Sequence, residues 1–319
     1  MSNSPTLPNT ADQVLISVNP KAGRRSVNAR VERLADCLRT AGFQVEAKTD
    51  LAEVTEQANN LHRESRLRAL VGAGGDGTAA ELTNRTDPGV PISLLAAGTA
   101  NLLAKHFRLS GNPEKLSRTI ATGQLCELDA GRANGRLFLV MIGCGFDADV
   151  VQQVHEHRES CTRRGGHIGY SSYFKPVWRS VRSYRYPEIQ VYCGEPNGET
   201  EEPLTAHWAF ACNLPRYGWG IPLAPKASGE DGQLDLCTYA GNSLWRGMGF
   251  AAAAQFGGWH QRLRGCRMSR TDRVRFTSDE KVAYQLDGDP GGSLPVEVEV
   301  LPKRLTLLVP SSPDKTSRG

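Results

Sequence analysis

The sequence predicts an α/β protein in two parts: an N-terminal domain (residues 1–130) on a parallel sheet, then an antiparallel β-sandwich (residues 131–319). Three observations carry this. Before residue 130, short apolar runs alternate with helical stretches, as strand–helix–strand units do. After it, strand-like runs follow one another with turn signals between them. A chain of 319 residues also exceeds what one ordinary core organises.

Val14-Leu15-Ile16-Ser17-Val18 reads as a buried strand. Leu34, Cys37, Leu38 and Ala41 then recur at helical spacing, and Gly42 closes that helix. Residues 43–47 are the next strand, and 67–73 and 91–96 supply two more, each followed by a helical segment. In the second part, strands are expected at 137–142, 188–192, 206–212, 233–239, 273–277, 296–301 and 305–309. The last of these is free to return to the first domain. Turn signals include Pro196-Asn197-Gly198 and Asp231-Gly232. Both ends, 1–11 and 311–319, are polar and read as loose.

Composition narrows the function classes. A net charge of +4 gives no support to a dedicated nucleic-acid binder. Eight cysteines are scattered singly, without a Cys-x-x-Cys pair, which argues against zinc and for reduced thiols. The first residues lack the apolar run of a secretory signal. No stretch reaches the roughly 20 apolar residues of a membrane span; residues 248–259 come nearest and are short. A soluble cytoplasmic protein that meets a membrane only from the side is therefore expected.

The chemistry concentrates at Gly74-Gly75-Asp76-Gly77-Thr78, where a strand turns into a helix. Glycines let the backbone approach a ligand closely, and N–H groups at a helix start face an anion. With Gly72 the stretch also satisfies Gly-x-Gly-x-x-Gly, the dinucleotide fingerprint. Asp76 argues against that, because a carboxylate 4 Å from a phosphate costs about 4 kcal/mol. A divalent cation resolves the conflict, which favours phosphoryl transfer. Neither a Walker A motif nor the protein-kinase set of motifs is present.

Asn19-Pro20-Lys21-Ala22-Gly23 follows the first strand, and Gly98-Thr99-Ala100-Asn101 follows the fourth. With Glu81, Gly143-x-Gly145-Phe146-Asp147, Ala224-Pro225, Asp231-Gly232 and Asp287-Gly288, these motifs resemble the diacylglycerol kinase catalytic-domain family in order and approximate spacing. That family includes sphingosine, ceramide and bacterial lipid kinases. The resemblance implies a cleft between the two domains in which Mg²⁺-ATP gives its γ-phosphate to a lipid hydroxyl. It implies nucleotide contacts from Asn19, Pro20, Lys21, Ala22, Gly23, Thr49, Gly74, Gly75, Asp76, Gly77, Thr78, Ala79, Ala80 and Thr99. It further implies a Mg²⁺ on Asp231 with carbonyls of Ser228 and Gln233, and Asp289 as proton acceptor.

Two positions depart from the family. Asn101-Leu102-Leu103-Ala104 stands where Asn-Asp-Phe-Ala is common, and Asp289 stands where a glutamate is usual. The shorter stem at 289 matters, because about 1 Å of misplacement can cost roughly a hundredfold in rate.

Weaker signals keep their plainer reading. Phe174, Val177, Trp178 and Val181, with Arg179, Arg182 and Arg185, suit a helix packed on the sandwich; a membrane-resting face is the alternative. His155, His157 and His167 read as part of a loop, and Phe256 to Trp259 as a helix end. The competing functions are a kinase for NAD or a sugar phosphate, and a lipid or nucleotide sensor without turnover. The acceptor lipid and the oligomeric state are not encoded in any motif.

Overall fold

The structure is a computed structural model that describes residues 7–8, 10–18, 25–98, 100–163, 184–194, 203–256 and 258–311. The chain divides into two compact units, Met1–Asp129 with Pro302–Gly319, and Ala130–Leu301.

The first unit opens with β1 (Gln13–Val18), α1 (Arg25–Thr40), β2 (Gln44–Lys48), α2 (Leu51–Arg63), β3 (Leu67–Gly74), α3 (Asp76–Arg85) and β4 (Pro91–Ala96). α4 (Leu102–His106) and α5 (Pro113–Thr122) follow. The strands are parallel in the order β2-β1-β3-β4. Because both faces are covered by helices, β3 is apolar along nearly its whole length. On one face Val14, Ile16, Val71 and Ala73 meet Val31, Leu34 and Leu38 of α1 and Leu116 and Ile120 of α5. Helix starts follow local chemistry: Asp50 caps α2 by accepting from the N–H of Ala52 and Glu53, and Asn112 caps α5 ahead of Pro113. Gly42, at φ 92°, ends the turn after α1 as its position suggests.

The second unit contains β6 (Arg136–Phe138), β7 (Met141–Gly145), α6 (Phe146–Arg163), β8 (Ile189–Cys193), β9 (Leu204–Ala206), β10 (Trp208–Cys212) and β11 (Leu234–Tyr239). It continues with α7 (Leu244–Gln255), a 3-10 turn (Trp259–Arg262), β12 (Cys266–Thr271), β13 (Arg273–Thr277), β14 (Ala283–Leu286) and β15 (Asp289–Ser293). Two longer strands, β5 (Gln124–Ala133) and β16 (Val296–Val309), run across the division between the units. One antiparallel sheet has the order β12-β11-β10-β7-β14-β15. Against its Ile142, Ala209, Leu236 and Leu286 pack Ile189, Val191, Phe276, Val296 and Val298, which makes a sandwich core.

Three sequence expectations change. The single strand expected at 137–142 is two strands, β6 and β7, because the backbone N–H groups of Leu139 and Val140 bond the Asp287 carboxylate instead of a neighbouring strand. The strands expected at 296–301 and 305–309 are one, β16. Finally, His155 and His157 lie in α6 rather than in a loop. Residues 174–181, His167 and Pro196-Asn197-Gly198 lie outside the described residues. Among the described residues no helix is long and apolar enough to cross a membrane, and the thiols of Cys37, Cys144, Cys212, Cys237 and Cys266 form no disulfide bond.

Candidate active site

In a parallel sheet every strand ends at the same edge, and the registers Val18↔Ala73, Ser17↔Lys48 and Gly74↔Ala96 set those ends level. Thr49 therefore sits exposed just after β2, at the same edge as the loops after β3 and β4. Asn19, Pro20, Lys21, Ala22, Gly23 and Thr99 lie outside the described residues.

The loops after β3 and β4 are fastened to each other. Ala97 N–H donates to the Gly74 carbonyl at 2.9 Å. Asn101 takes a left-handed backbone (φ 50°) and closes its own loop, accepting from Gly98 N–H at 2.9 Å and donating to the Gly98 carbonyl at 2.8 Å. A Cβ on Gly98 would lie 2.7 Å from Gly75 Cα, and one on Gly74 would lie 2.0 Å from Thr78 Oγ1. These glycines are dictated by close approach. Gly75 precedes α3 with no side chain capping the helix, so first-turn N–H groups remain available to an anion, as at other phosphate-binding helix starts. Ala79 and Ala80 are buried in that helix.

Asp76 has a different task from the one its position suggests. Its two carboxylate oxygens accept from the N–H groups of Leu102 and Leu103, both at 2.9 Å. Burial pushes this carboxyl upward, and those two bonds oppose the shift. Through these two bonds the carboxylate braces the start of α4. Leu102 and Leu103 supply N–H groups for this, which any side chain permits, so the departure from Asn-Asp-Phe-Ala leaves the brace intact.

In the second unit, Asp289 begins β15, half-buried, with the Arg136 guanidinium 4.0 Å away. It follows a two-residue hairpin turn, Asp287-Gly288, in which both residues have positive φ (53° and 91°) and Leu286 pairs with Asp289. The Asp287 carboxylate holds this turn by accepting from the N–H groups of Leu139, Val140 and Met141 at 2.7, 2.8 and 2.9 Å. From the other side Gly288 N–H donates to Gln285 Oε1 at 2.7 Å, and Gln285 Nε2 donates to buried Asp147 at 3.3 Å. Tyr217 O–H donates to the same Asp147 oxygen at 3.0 Å. Burial raises the Asp147 carboxyl to about 6, opposed by these two donors. Sequence reading found Asp147 and Asp287 as motif letters but missed Tyr217 and Gln285. Only the Asp-Gly pair beside an apolar run signalled the hairpin.

The residues implied as a Mg²⁺ site do not fit one. Asp231 Oδ1 accepts from Gln233 N–H at 3.2 Å, and Oδ2 lies 3.0 Å from the Arg270 guanidinium, which also meets Asp235 at 3.4 Å. A fixed positive charge already sits on this carboxylate, and Ser228 and Gln233 would add only neutral carbonyls to a cation. Among the described residues no group of three or more His, Cys, Asp or Glu side chains gathers to hold a metal.

Comparison with known proteins agrees with this architecture. The family model described as "Diacylglycerol kinase catalytic domain" matches residues 13–133, and that described as "YegS C-terminal NAD kinase beta sandwich-like domain" matches residues 140–309. By the match over residues 140–309, more than half of its length, the chain belongs to the family described as "YegS C-terminal NAD kinase beta sandwich-like domain", and residues 13–133 resemble the diacylglycerol kinase catalytic domain. The Bacillus subtilis protein named diacylglycerol kinase is 25% identical over 303 residues, covering 92% of this chain and 95% of that one. A crystal structure of a diacylglycerol kinase from Bacillus anthracis shares the fold, with a TM-score of 0.63 at 17% identity, over 95% of this chain and 98% of that one. An NAD kinase from Archaeoglobus fulgidus, solved with ATP, is a more distant fold relative, with a TM-score of 0.50 at 11% identity over 93% of this chain and 92% of that one. The shared fold, a parallel-sheet domain followed by an antiparallel sandwich, is the fold expected from the sequence.

Proposed function

We propose that this member of the lipid kinase family transfers the γ-phosphate of ATP, bound as its magnesium complex, to the hydroxyl of a diacylglycerol- or sphingoid-type lipid. The observation that carries the reading is the uncapped start of α3, held open by the glycine contact between the loops after β3 and β4. In this reading Gly74, Gly75, Asp76, Gly77, Thr78, Ala79 and Ala80 form the phosphate-binding turn, with Ala79 and Ala80 packing beneath it and the first-turn N–H groups ahead of them facing the phosphates. Asn19, Pro20, Lys21, Ala22 and Gly23, with Thr49 and Thr99, complete the nucleotide contacts.

The lipid oxygen attacks the γ-phosphorus as the bond to the β–γ bridging oxygen breaks, and ADP leaves with that electron pair. The hydroxyl proton passes to Asp289. No step is assigned to a cation on Asp231. The metal travels with ATP as part of the substrate.

The test uses the purified chain, γ-labelled ATP and a panel of lipid alcohols. Label is expected in organic-soluble product, and Asp289→Ala is expected to lower turnover by about 10²–10⁴-fold without changing the melting temperature. Equal rates would remove Asp289 from its role. Label in an aqueous product instead would indicate a kinase for NAD or a sugar phosphate. ATP binding without any transfer would indicate a sensor.

A further inference from the structure

Five large apolar side chains stand exposed among the described residues: Tyr192, Trp245, Met248, Phe256 and Trp259. Four of the five fall within fifteen residues of chain, at 78% exposure for Trp245, 76% for Phe256, 66% for Trp259 and 52% for Met248. That concentration is not the scatter of single surface hydrophobes that any protein carries.

The scaffold beneath them fixes their direction. α7 turns Gly247, Phe250 and Ala254 inward. Gly247 lies so close to the indole of Trp208 that a Cβ would come within 2.2 Å of it. Phe250 stacks on Tyr239 at 4.7 Å and meets the edge of buried His260, whose Nε2 lies 2.9 Å from the Leu223 carbonyl. With 247, 250 and 254 packed, helical spacing sends 245, 248, 249, 252 and 256 to the opposite face. Those positions are Trp, Met, Gly, Ala and Phe, each of them exposed. The helix is thus apolar on both faces, toward solvent as well as toward the core.

Charge selects the partner. From Tyr239 to Thr271 the sequence contains five arginines and no aspartate or glutamate. Arg246, Arg262, Arg264 and Arg267 are exposed, whereas Arg270 is occupied by Asp231 and Asp235. Lys226 is also exposed, and the loop that carries it reaches the 3-10 turn, where a Cβ on Gly258 would lie 3.5 Å from Pro225 Cγ. Tryptophans beside arginines, on a stretch of chain without carboxylates, match the boundary between headgroups and acyl chains of an anionic bilayer.

We infer that the outer face of α7, with the following 3-10 turn and β12, is a docking surface for an anionic phospholipid membrane. Trp245, Met248, Phe256 and Trp259 insert at the acyl boundary, and Arg246, Arg262, Arg264 and Arg267 meet the phosphates. This goes beyond the kinase reading and does not depend on which alcohol is phosphorylated.

The experiment is co-sedimentation of the full chain with phosphatidylcholine vesicles with and without phosphatidylglycerol, at low and raised salt. Wild type is expected to bind the anionic vesicles, more weakly as salt rises. Trp245→Ser with Phe256→Ser is expected to weaken that binding at least about tenfold. Neutralising Arg262, Arg264 and Arg267 to glutamine should weaken it about a hundredfold, at roughly fivefold per arginine. None of these residues belongs to the phosphate loops or the Asp289 turn, so turnover on a short-chain, dispersed acceptor should be unchanged and reports that the variants are folded. Vesicle binding equal to wild type in both variants would overturn the proposal. So would a wild-type dimer in sedimentation velocity that Trp245→Ser with Phe256→Ser converts to a monomer, because the face would then join two copies of the chain. Vesicle binding by a protein that phosphorylates no lipid would sink the kinase reading and leave the surface standing.

Discussion

At Asp147, a carboxylate is enclosed with two donors, Tyr217 and Gln285, on one oxygen, while the other oxygen has no partner among the described residues. Burial raises this carboxyl from the ordinary range to about 6, so the native state favours its protonated form. The sign follows: the stabilisation is fully present below the unfolded value of about 4 and is lost as pH rises through about 6, on the order of 3 kcal/mol in all. Asp147→Asn keeps an acceptor for Tyr217 and cannot ionise. Thermal melts are expected to show this variant more stable than wild type at pH 8 and equal to it near pH 4. A constant difference across that range would show that the carboxyl is not shifted. Keeping an ionisable group at this cost ties Asp147 to the turn it holds, through Gln285 and Gly288, one residue from Asp289.

Among the elements, the β14–β15 hairpin shows most clearly what one carboxylate can organise. The Asp287 oxygens satisfy three successive N–H groups, those of Leu139, Val140 and Met141. The carbonyls of the same stretch are met by Asn213, whose side chain donates to Leu139 and whose backbone donates to Val140. Asp287→Ala would leave those donors unpaired, and each orphaned group costs about 1–3 kcal/mol. Denaturant unfolding is expected to show a loss of at least about 3 kcal/mol; a loss under 1 kcal/mol would mean the turn is held elsewhere. The hairpin was not among the expected elements, although Asp-Gly beside apolar residues is its usual signal. The split of 137–142 into two strands was not legible, because the partner that causes it lies about 150 residues away.

Across the whole molecule, the late strand β16 carries a consequence for folding. Its final residues lie beside β4, with Thr306↔Pro91 and Leu307↔Ile92 in parallel register, and the Ser93 hydroxyl donates to the Leu308 carbonyl at 3.2 Å. Leu305, Leu307 and Leu308 are buried, and at about 1.5–3 kcal/mol per buried side chain they supply a large part of a domain's net stability. A chain ending at residue 301 is therefore expected to lose the first unit, seen as rapid proteolysis of residues 13–129. Persistence of a protected fragment there would show that the final strand is dispensable. Sequence alone left the return of this strand open, since parallel pairing over more than two hundred residues depends on the tertiary path.

What the sequence determined by itself is whatever local spacing encodes. That covers the parallel-sheet half with its apolar runs, the strand-dominated second half, and the glycines at 74, 75 and 98. Tertiary structure decided which groups these elements bring together. Asp76 reads locally as a charge beside a phosphate, yet its oxygens are taken by the N–H groups of Leu102 and Leu103 from the next loop. Asp231 reads as a metal ligand, yet Arg270, 39 positions further along the chain, supplies its positive partner. Residues 248–259 read as an apolar stretch too short to span a bilayer, and Phe256 to Trp259 as a helix end. Only the packing of Gly247 against Trp208 reveals that α7 has a second apolar side, which faces outward. Hydrogen bonds and ion pairs are satisfied by whichever partner the fold delivers, and spacing along one strand of sequence cannot name it.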